Sequence, residues 1–316
     1  MSLITKINKR VVLYTGIYII SCFVLIGQPL RFQSYTTSQG LSQNSVYSIA
    51  QTSDKFIWFG TQDGLNRFDG MKFTKVIPQS GTGTSLEYSK FFSALAVDQY
   101  DRLWTGTSEG IAIYDRYTNT FWAPEKIYSG FVSPGREYIS LIMIDDKNRI
   151  WILIQDGKLY GFDLVLNKMI PLENSPRINS ITQDINGNVF LASAHEIYTF
   201  DNGKLIAQQI KAKITQKKTE IIHIQGIGDR LWAIINGSEI YMFDIDDGRL
   251  DKGQSLNQKY PQEKWPVDMR LIHQSDRNTI WIGTRSSGII KLNESKNPFQ
   301  NHLDPIFLIR LKANLY

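Results

Sequence analysis

The 316-residue chain is poor in the residues that build stapled, metal-bound or redox sites. It has one cysteine, Cys22, which excludes an internal disulfide framework and any CxxC metal or redox motif. Its four histidines, at 195, 223, 273 and 302, share no HExxH or HxH spacing, so a metal centre has no motif behind it and none is expected. No cofactor signature is present either. An excess of one charge is also missing: 35 basic residues stand against 30 acidic ones, and Lys6, Lys9 and Arg10 supply three of the five net positives. The rest of the chain is close to neutral, without the clustered basic face that nucleic-acid binding requires. A 42% hydrophobic fraction with 21% charged residues in turn excludes a disordered chain.

One long apolar run is present, the sixteen residues Val11 to Ile26, preceded by the basic MSLITKINKR. It is shorter than the roughly 20 residues of a spanning helix and has the length and flank of a secretory h-region. Residues 1–27 are therefore read as a signal peptide or N-terminal anchor, the chain's one expected link to a membrane, and the mature protein as periplasmic. The alternative is lipidation at Cys22 within Ile19-Ile20-Ser21-Cys22, against which the apolar FVLI run that follows it argues.

Beyond that segment the sequence repeats. Similar stretches surround Trp58 (FIWFGTQDGLNRFDG), Trp104 (RLWTGTSEGIAIYDR), Trp151, Trp232 and Trp281 (TIWIGTRSSGIIKLN), and a sixth copy carries Phe190 in the tryptophan register. Each copy opens with an alternating apolar segment such as VYSIAQ, FSALAV or ISLIMI and reaches an Asp- or Gly-containing turn. The tryptophan segment, a second turn, a segment ending in Phe-Asp or Tyr-Asp and a fourth short segment follow. Period-2 alternation bounded by Gly, Asn and Asp marks strands. Four strands in a repeat of 40 to 50 residues specify the blade of a β-propeller. In that architecture a large ring at one place in each second strand fills the gap between neighbouring sheets, so packing, not ligand contact, is the expected task of the five tryptophans.

The expected fold is thus all-β: a propeller over 28–303 with six four-stranded blades and a non-repeat tail over 304–316. Arg31 to Thr36 reads as a fourth strand without its first three, which gives the N-terminal strand of an incomplete seventh blade. The terminal IFLIRLKANLY has no blade grammar, and the ring is expected to be truncated, with a gap or strained closure between first and last blades.

The lead-in GLSQNSVYSI (Gly40 to Ile49) and IWFGTQDGLNRFDG (Ile57 to Gly70) resemble the first propeller repeats of the periplasmic sensor region of hybrid two-component system histidine kinases of Bacteroidetes. The resemblance implies a glycan-sensing exterior half, while the kinase, receiver and helix-turn-helix parts have no counterpart in this chain. It implies an oligosaccharide ligand, no catalysis by this polypeptide, and a homodimer or partner sensor chain. The alternatives are a propeller-fold carbohydrate-active enzyme, which needs a pair of carboxylates about 5 to 10 Å apart, and an interaction scaffold or gene remnant.

Ligands of propellers meet the loops at one end of the central channel, where long connections on a rigid scaffold carry function. Aromatic and hydrogen-bonding residues in or near those loops, outside the packing register, are the candidates: Trp265, Arg285, Tyr88, Trp122 and Asp63, with Tyr128 a further aromatic. Asp63 precedes a glycine and also reads as an ordinary turn residue.

Overall fold

In the computed structural model of the chain, the described residues are 31–77, 91–108, 110–172, 176–201, 204–208, 219–246, 248–261, 264–276 and 279–293. Strand β1 (Arg31–Tyr35) comes first in the chain. The first blade follows with β2 (Val46–Gln51), β3 (Ile57–Thr61), β4 (Gly64–Phe68) and β5 (Phe73–Val76). The second contains β6 (Phe92–Val97), β7 (Leu103–Thr107), β8 (Gly110–Asp115) and β9 (Thr120–Trp122), and the third β10 (Ile139–Ile144), β11 (Arg149–Ile154), β12 (Leu159–Asp163) and β13 (Lys168–Ile170). In the fourth are β14 (Ser180–Gln183), β15 (Val189–Ala192), β16 (Ile197–Asp201) and β17 (Lys204–Ala207); in the fifth β18 (Ile221–Ile227), β19 (Arg230–Ile235), β20 (Glu239–Asp246) and β21 (Arg249–Ser255). The sixth holds β22 (Met269–Asp276), β23 (Thr279–Thr284) and β24 (Ile289–Asn293). The segments VYSIAQ, FSALAV and ISLIMI are β2, β6 and β10 residue for residue.

The sheet order β1-β24-β23-β22 corrects one expectation. Strand β1 does not begin a seventh blade; it hydrogen-bonds along β24 as the fourth strand of the sixth. The free edge of β24 takes the one unpaired strand of matching length, which removes an exposed edge from the sheet. The segment that follows β24 in the chain, where the repeat pattern puts a fourth strand, lies outside the described residues.

The expected gap is absent as well. The first and sixth blades meet through Gly288 N–H donating to Asn44 O (3.1 Å) and Ser45 Oγ donating to Arg285 O (2.5 Å). Their rings interlock too, with Trp281 edge-on to Phe68 and Phe59 at centroid distances of 5.8 and 5.5 Å. The described chain forms a closed six-bladed ring, and the physical reason is that the sixth interface uses the same residues as the others.

Those residues are the ones the repeat conserves along the chain. Six apolar clusters lie between successive blades, one of them joining Trp281 and Leu271 of the last to Phe59 and Phe68 of the first. Trp58 meets Tyr114 of the second blade at 5.9 Å and Trp151 meets Phe200 of the fourth at 4.8 Å, both edge to face, the arrangement aromatic pairs prefer. Each of four indoles is also anchored by the residue six positions earlier, at or just past the end of the first strand. Trp58 Nε1 donates to Thr52 Oγ1 (3.0 Å), Trp104 to Asp98 Oδ2 (3.2 Å), Trp151 to Asp145 Oδ2 (2.9 Å) and Trp281 to Ser275 Oγ (2.8 Å). A buried indole N–H needs such an acceptor.

In three blades a glycine two residues after the tryptophan, Gly60, Gly106 or Gly283, sets the spacing to the next blade. A Cβ at Gly106 would stand 2.6 Å from Ile139 Cβ in the next blade, and one at Gly60 would stand 2.5 Å from Phe92 O. The second strand of one blade and the first strand of the next therefore approach as closely as these backbones allow. Among the described residues no helix is long and apolar enough to cross a membrane.

Candidate functional site

The first strands β2, β6, β10, β14, β18 and β22 neighbour one another around the ring and so surround its axis. Five of them open with a bulge, between Val46 and Ser48, Phe92 and Ala94, Ile139 and Leu141, Ile221 and His223, and Met269 and Leu271. A bulge leaves one residue out of the ladder and re-aims its side chain. Here those residues are Tyr47, Ser93, Ser140, Ile222 and Arg270. The bulged end is also where the turns between second and third strands lie, because Gln62 N, Gln155 N, Asn236 N and Arg285 N donate to the carbonyls of Ser45, Tyr138, Glu220 and Asp268. Both features mark one mouth of the channel.

Three aromatic residues and one cation form a continuous row at that mouth. The Arg270 guanidinium lies over the Tyr47 ring at 3.7 Å, Tyr47 meets Phe91 edge to face at 4.5 Å, and Phe91 lies 5.4 Å from Tyr138. The row crosses from the sixth blade to the third, and all four residues are half-buried. Burial pushes the Tyr138 phenol above its ordinary value, the neighbouring Tyr47 adds to this, and Arg270 with a hydrogen bond to Ser93 works against it. Tyr138 therefore keeps its proton at neutral pH and offers a donor. The opposite side of the mouth is polar: Arg177, Asn179, Glu220 and Asp268 stand at the starts of the fourth, fifth and sixth blades. Asp268 is occupied, accepting from Ser286 N (2.8 Å), Ser286 Oγ (2.5 Å) and Ser287 Oγ (3.2 Å).

Deeper along the first strands sit two histidines of adjacent blades. His223 Nδ1 shares a hydrogen bond with Ser180 Oγ (3.2 Å), and its Nε2 lies 3.2 Å from Ile272 O, which makes that nitrogen the donor. His273 Nε2 is shielded from solvent and has no hydrogen-bond partner among the described residues. Loss of hydration lowers both imidazoles to about 4, the backbone carbonyl of Ile272 partly opposing this at His223 and the nearness of His223 adding to it at His273. Both are neutral at pH 7. Among the described residues no three His, Cys, Asp or Glu side chains are grouped to hold a metal ion.

The residues expected from sequence are scattered by comparison. Asp63 lies at the mouth, in the turn between β3 and β4, and is paired with Lys75 Nζ at 3.0 Å. Arg285 is exposed in the corresponding turn of the sixth blade and makes no ion pair among the described residues. Trp122 is 40% exposed on β9, the outermost strand of its blade, paired opposite Ile113. Trp265 is half-buried, edge-on to Phe32 at 5.2 Å, with its Nε1 donating to Tyr260 O. Tyr88 lies outside the described residues. Tyr128 is buried, with Trp104 and Phe162 beside it and its hydroxyl accepting from Arg102 Nη2 at 2.8 Å. The four described candidates, Asp63, Trp122, Trp265 and Arg285, do not form one cluster.

The row of Tyr47, Phe91, Tyr138 and Arg270 was missed because these residues belong to, or directly precede, regular strands. The available signal is local: at the bulge position, where other copies carry Ser93, Ser140 or Ile222, the first and sixth copies carry Tyr47 and Arg270, and two residues earlier the second and third copies carry Phe91 and Tyr138.

Residues 40–63, which lead into β2 and run through β3, match the family model described as two component regulator propeller. Histidine kinase P4 of Formosa agariphila is 52% identical over 42 residues, 13% of this chain and 3% of that protein. Among solved structures, an extracellular domain assigned to the hybrid two component system BT3049 of B. thetaiotaomicron is 19% identical with a TM-score of 0.51, over 84% of this chain and 42% of that one. Virginiamycin B lyase from Staphylococcus aureus is 13% identical with a TM-score of 0.54, over 84% and 99%. At these identities the structural matches establish the propeller fold. The chain contains a two component regulator propeller repeat and resembles the sensor regions of hybrid two-component histidine kinases, spanning less than half of the solved sensor domain.

Proposed function

We propose that the chain is the ligand-sensing propeller module of a two-component regulator, exported from the cytoplasm, and that its ligand is an oligosaccharide held at the mouth of the channel. The kinase output belongs to polypeptide outside these 316 residues, and a second sensor chain is the partner through which occupancy is reported. The observation that carries the reading is the row Tyr47–Phe91–Tyr138 beside Arg270. It joins flat apolar faces to hydrogen-bonding groups, the combination a sugar ring recognises, and it lies outside the tryptophan packing register. The regulator repeat at residues 40–63 supports the sensing part of the reading.

Residues 1–27 would direct export and Val11 to Ile26 would serve as the h-region or anchor. Arg285 and Asp63 are then rim contacts. Isothermal titration of the full chain against neutral and acidic oligosaccharides, with chromatography of the mixtures afterwards, tests the proposal. Binding without product, weakened at least tenfold by Tyr47→Ala and Tyr138→Ala, is the expected result. Turnover of a bound saccharide would instead establish an enzyme, and saccharide binding untouched by either substitution would move the site elsewhere.

A further inference from the structure

We propose that Arg270 makes the channel mouth selective for acidic saccharides, pairing a carboxylate or sulfate substituent while the sugar stacks along Tyr47, Phe91 and Tyr138. The inference rests on the sensing function above and adds the charge class of its ligand.

The first argument is an uncompensated charge. Three other enclosed guanidiniums have carboxylate partners: Arg102 meets Asp98 at 2.6 Å, Arg149 meets Asp145 at 2.7 Å, and Arg116 is paired with both Asp54 and Asp101. Half-buried Arg67, over the Phe56 ring at 4.6 Å, also lacks an ion pair among the described residues, but it lies on the third strand β4 and not on a strand around the channel. Half-buried Arg270 makes no ion pair and no side-chain hydrogen bond among the described residues; its one contact of this kind is the face of Tyr47. A half-desolvated guanidinium left without an anion has five N–H donors to offer, in a planar fork that matches a carboxylate or sulfate.

Its position is the second. Arg270 occupies the bulge of β22, a position held in four other blades by Tyr47, Ser93, Ser140 and Ile222. The ring of Tyr47 holds one face of the guanidinium and fixes the plane of the fork without consuming any N–H. Asp268, two residues away, is the nearest acid in sequence, and its carboxylate is held by Ser286 and Ser287 instead. The sixth-blade turn thus ties down the acid nearest to Arg270 in sequence.

The third is the charge state of the surroundings. Tyr138 is protonated at neutral pH, and the histidines deeper in the channel are neutral. An anionic substituent on a sugar stacked along the row therefore meets hydrogen-bond donors at Tyr138 and a full positive charge at Arg270.

The test is calorimetric titration of the full chain at pH 7 with three probes: tetragalacturonate, its carboxyl-reduced neutral counterpart, and a sulfated galactan tetrasaccharide. The expected result is binding of at least one acidic probe ten times or more tighter than the neutral one. That preference should fall as salt rises from 20 to about 300 mM, because the pair is partly exposed. Arg270→Gln should abolish it, with an unfolding midpoint like that of the natural chain, and Arg270→Lys should restore part of it. The two acidic probes separate carboxylate from sulfate recognition. Neutral binding as tight as acidic, or an acidic preference that survives Arg270→Gln, overturns the inference and leaves the sensing function standing. Failure of all three probes to bind overturns both.

Discussion

Trp281 of the last blade and Phe68 of the first stand edge to face with centroids 5.8 Å apart, the relationship that Trp58 and Tyr114 hold between the first two blades at 5.9 Å. Ring closure therefore uses the same contact as ring propagation. Truncating either tryptophan to alanine should cost a similar 3 to 5 kcal/mol, the range for buried large-to-small aromatic changes. Urea unfolding midpoints of Trp58→Ala and Trp281→Ala measure this. A negligible effect at Trp281 alone would mean that the closing interface carries no load.

Asp145 receives four donors: Lys147 N, Arg149 N, Arg149 Nε and Trp151 Nε1, at 3.0, 2.9, 2.7 and 2.9 Å. Asp184 holds the same place in the fourth blade, with Asn188 and Phe190 in place of arginine and tryptophan, and receives Asn186 N, Asn188 N and Asn188 Nδ2. Removing a carboxylate that faces an enclosed guanidinium leaves an unpaired charge as well as lost hydrogen bonds. Asp145→Ala is expected to destabilise by about 3 to 5 kcal/mol and Asp184→Ala by roughly half as much. Denaturant titration of the two variants checks the order, and equal losses would show that the ion pair adds nothing.

The glycines between blades are graded by what a Cβ would meet. At Gly106 it would press on Ile139 Cβ and Ala94 Cβ at 2.6 and 2.9 Å, whereas at Gly283 its nearest atoms are at 3.0 to 3.1 Å. Gly106→Ala should therefore cost about 2 kcal/mol or more through overpacking, and Gly283→Ala less. Thermal unfolding of both variants decides the point.

Stability should depend on pH through His223 and His273. Their folded values of about 4 lie below the ordinary 6.5, so between these values the unfolded chain binds more protons than the folded one. The contribution is whole above pH 6.5 and is lost as pH falls toward 4, about 3 kcal/mol for each imidazole. Unfolding midpoints measured from pH 7.5 to 4.5 should drop in that window, and His223→Gln or His273→Gln should flatten the drop. Because the two imidazoles repel when charged, the double variant should show less than the sum of the single effects. An unchanged slope in both single variants contradicts the assignment.

Much of the fold was legible because a repeat states its rule six times. A large ring at one register, tryptophan in five copies and Phe190 in the sixth, with alternating apolar strands and Gly-, Asn- or Asp-containing turns suffices to specify blades, since each rule concerns neighbours within one or two strands. The candidate site was less legible. Trp265 reads from sequence as a free platform, but Phe32, brought from the other end of the chain with β1, is edge-on to it. Tyr47 reads as an ordinary strand residue, and only the bulge in β2 and the arrival of Arg270 from the sixth blade set it apart.

The sequence by itself determined that this is an all-β propeller and which rings fill the spaces between blades. Tertiary structure alone decided that six blades close the circle, because Arg31–Tyr35 pairs with β24, a partner more than 250 residues away whose free edge no local pattern reveals. It also decided which residues share the channel mouth. Residues 47, 91, 138 and 270 become neighbours only when four separate sheets converge on one axis, and that convergence is a property of the closed ring, absent from any single blade.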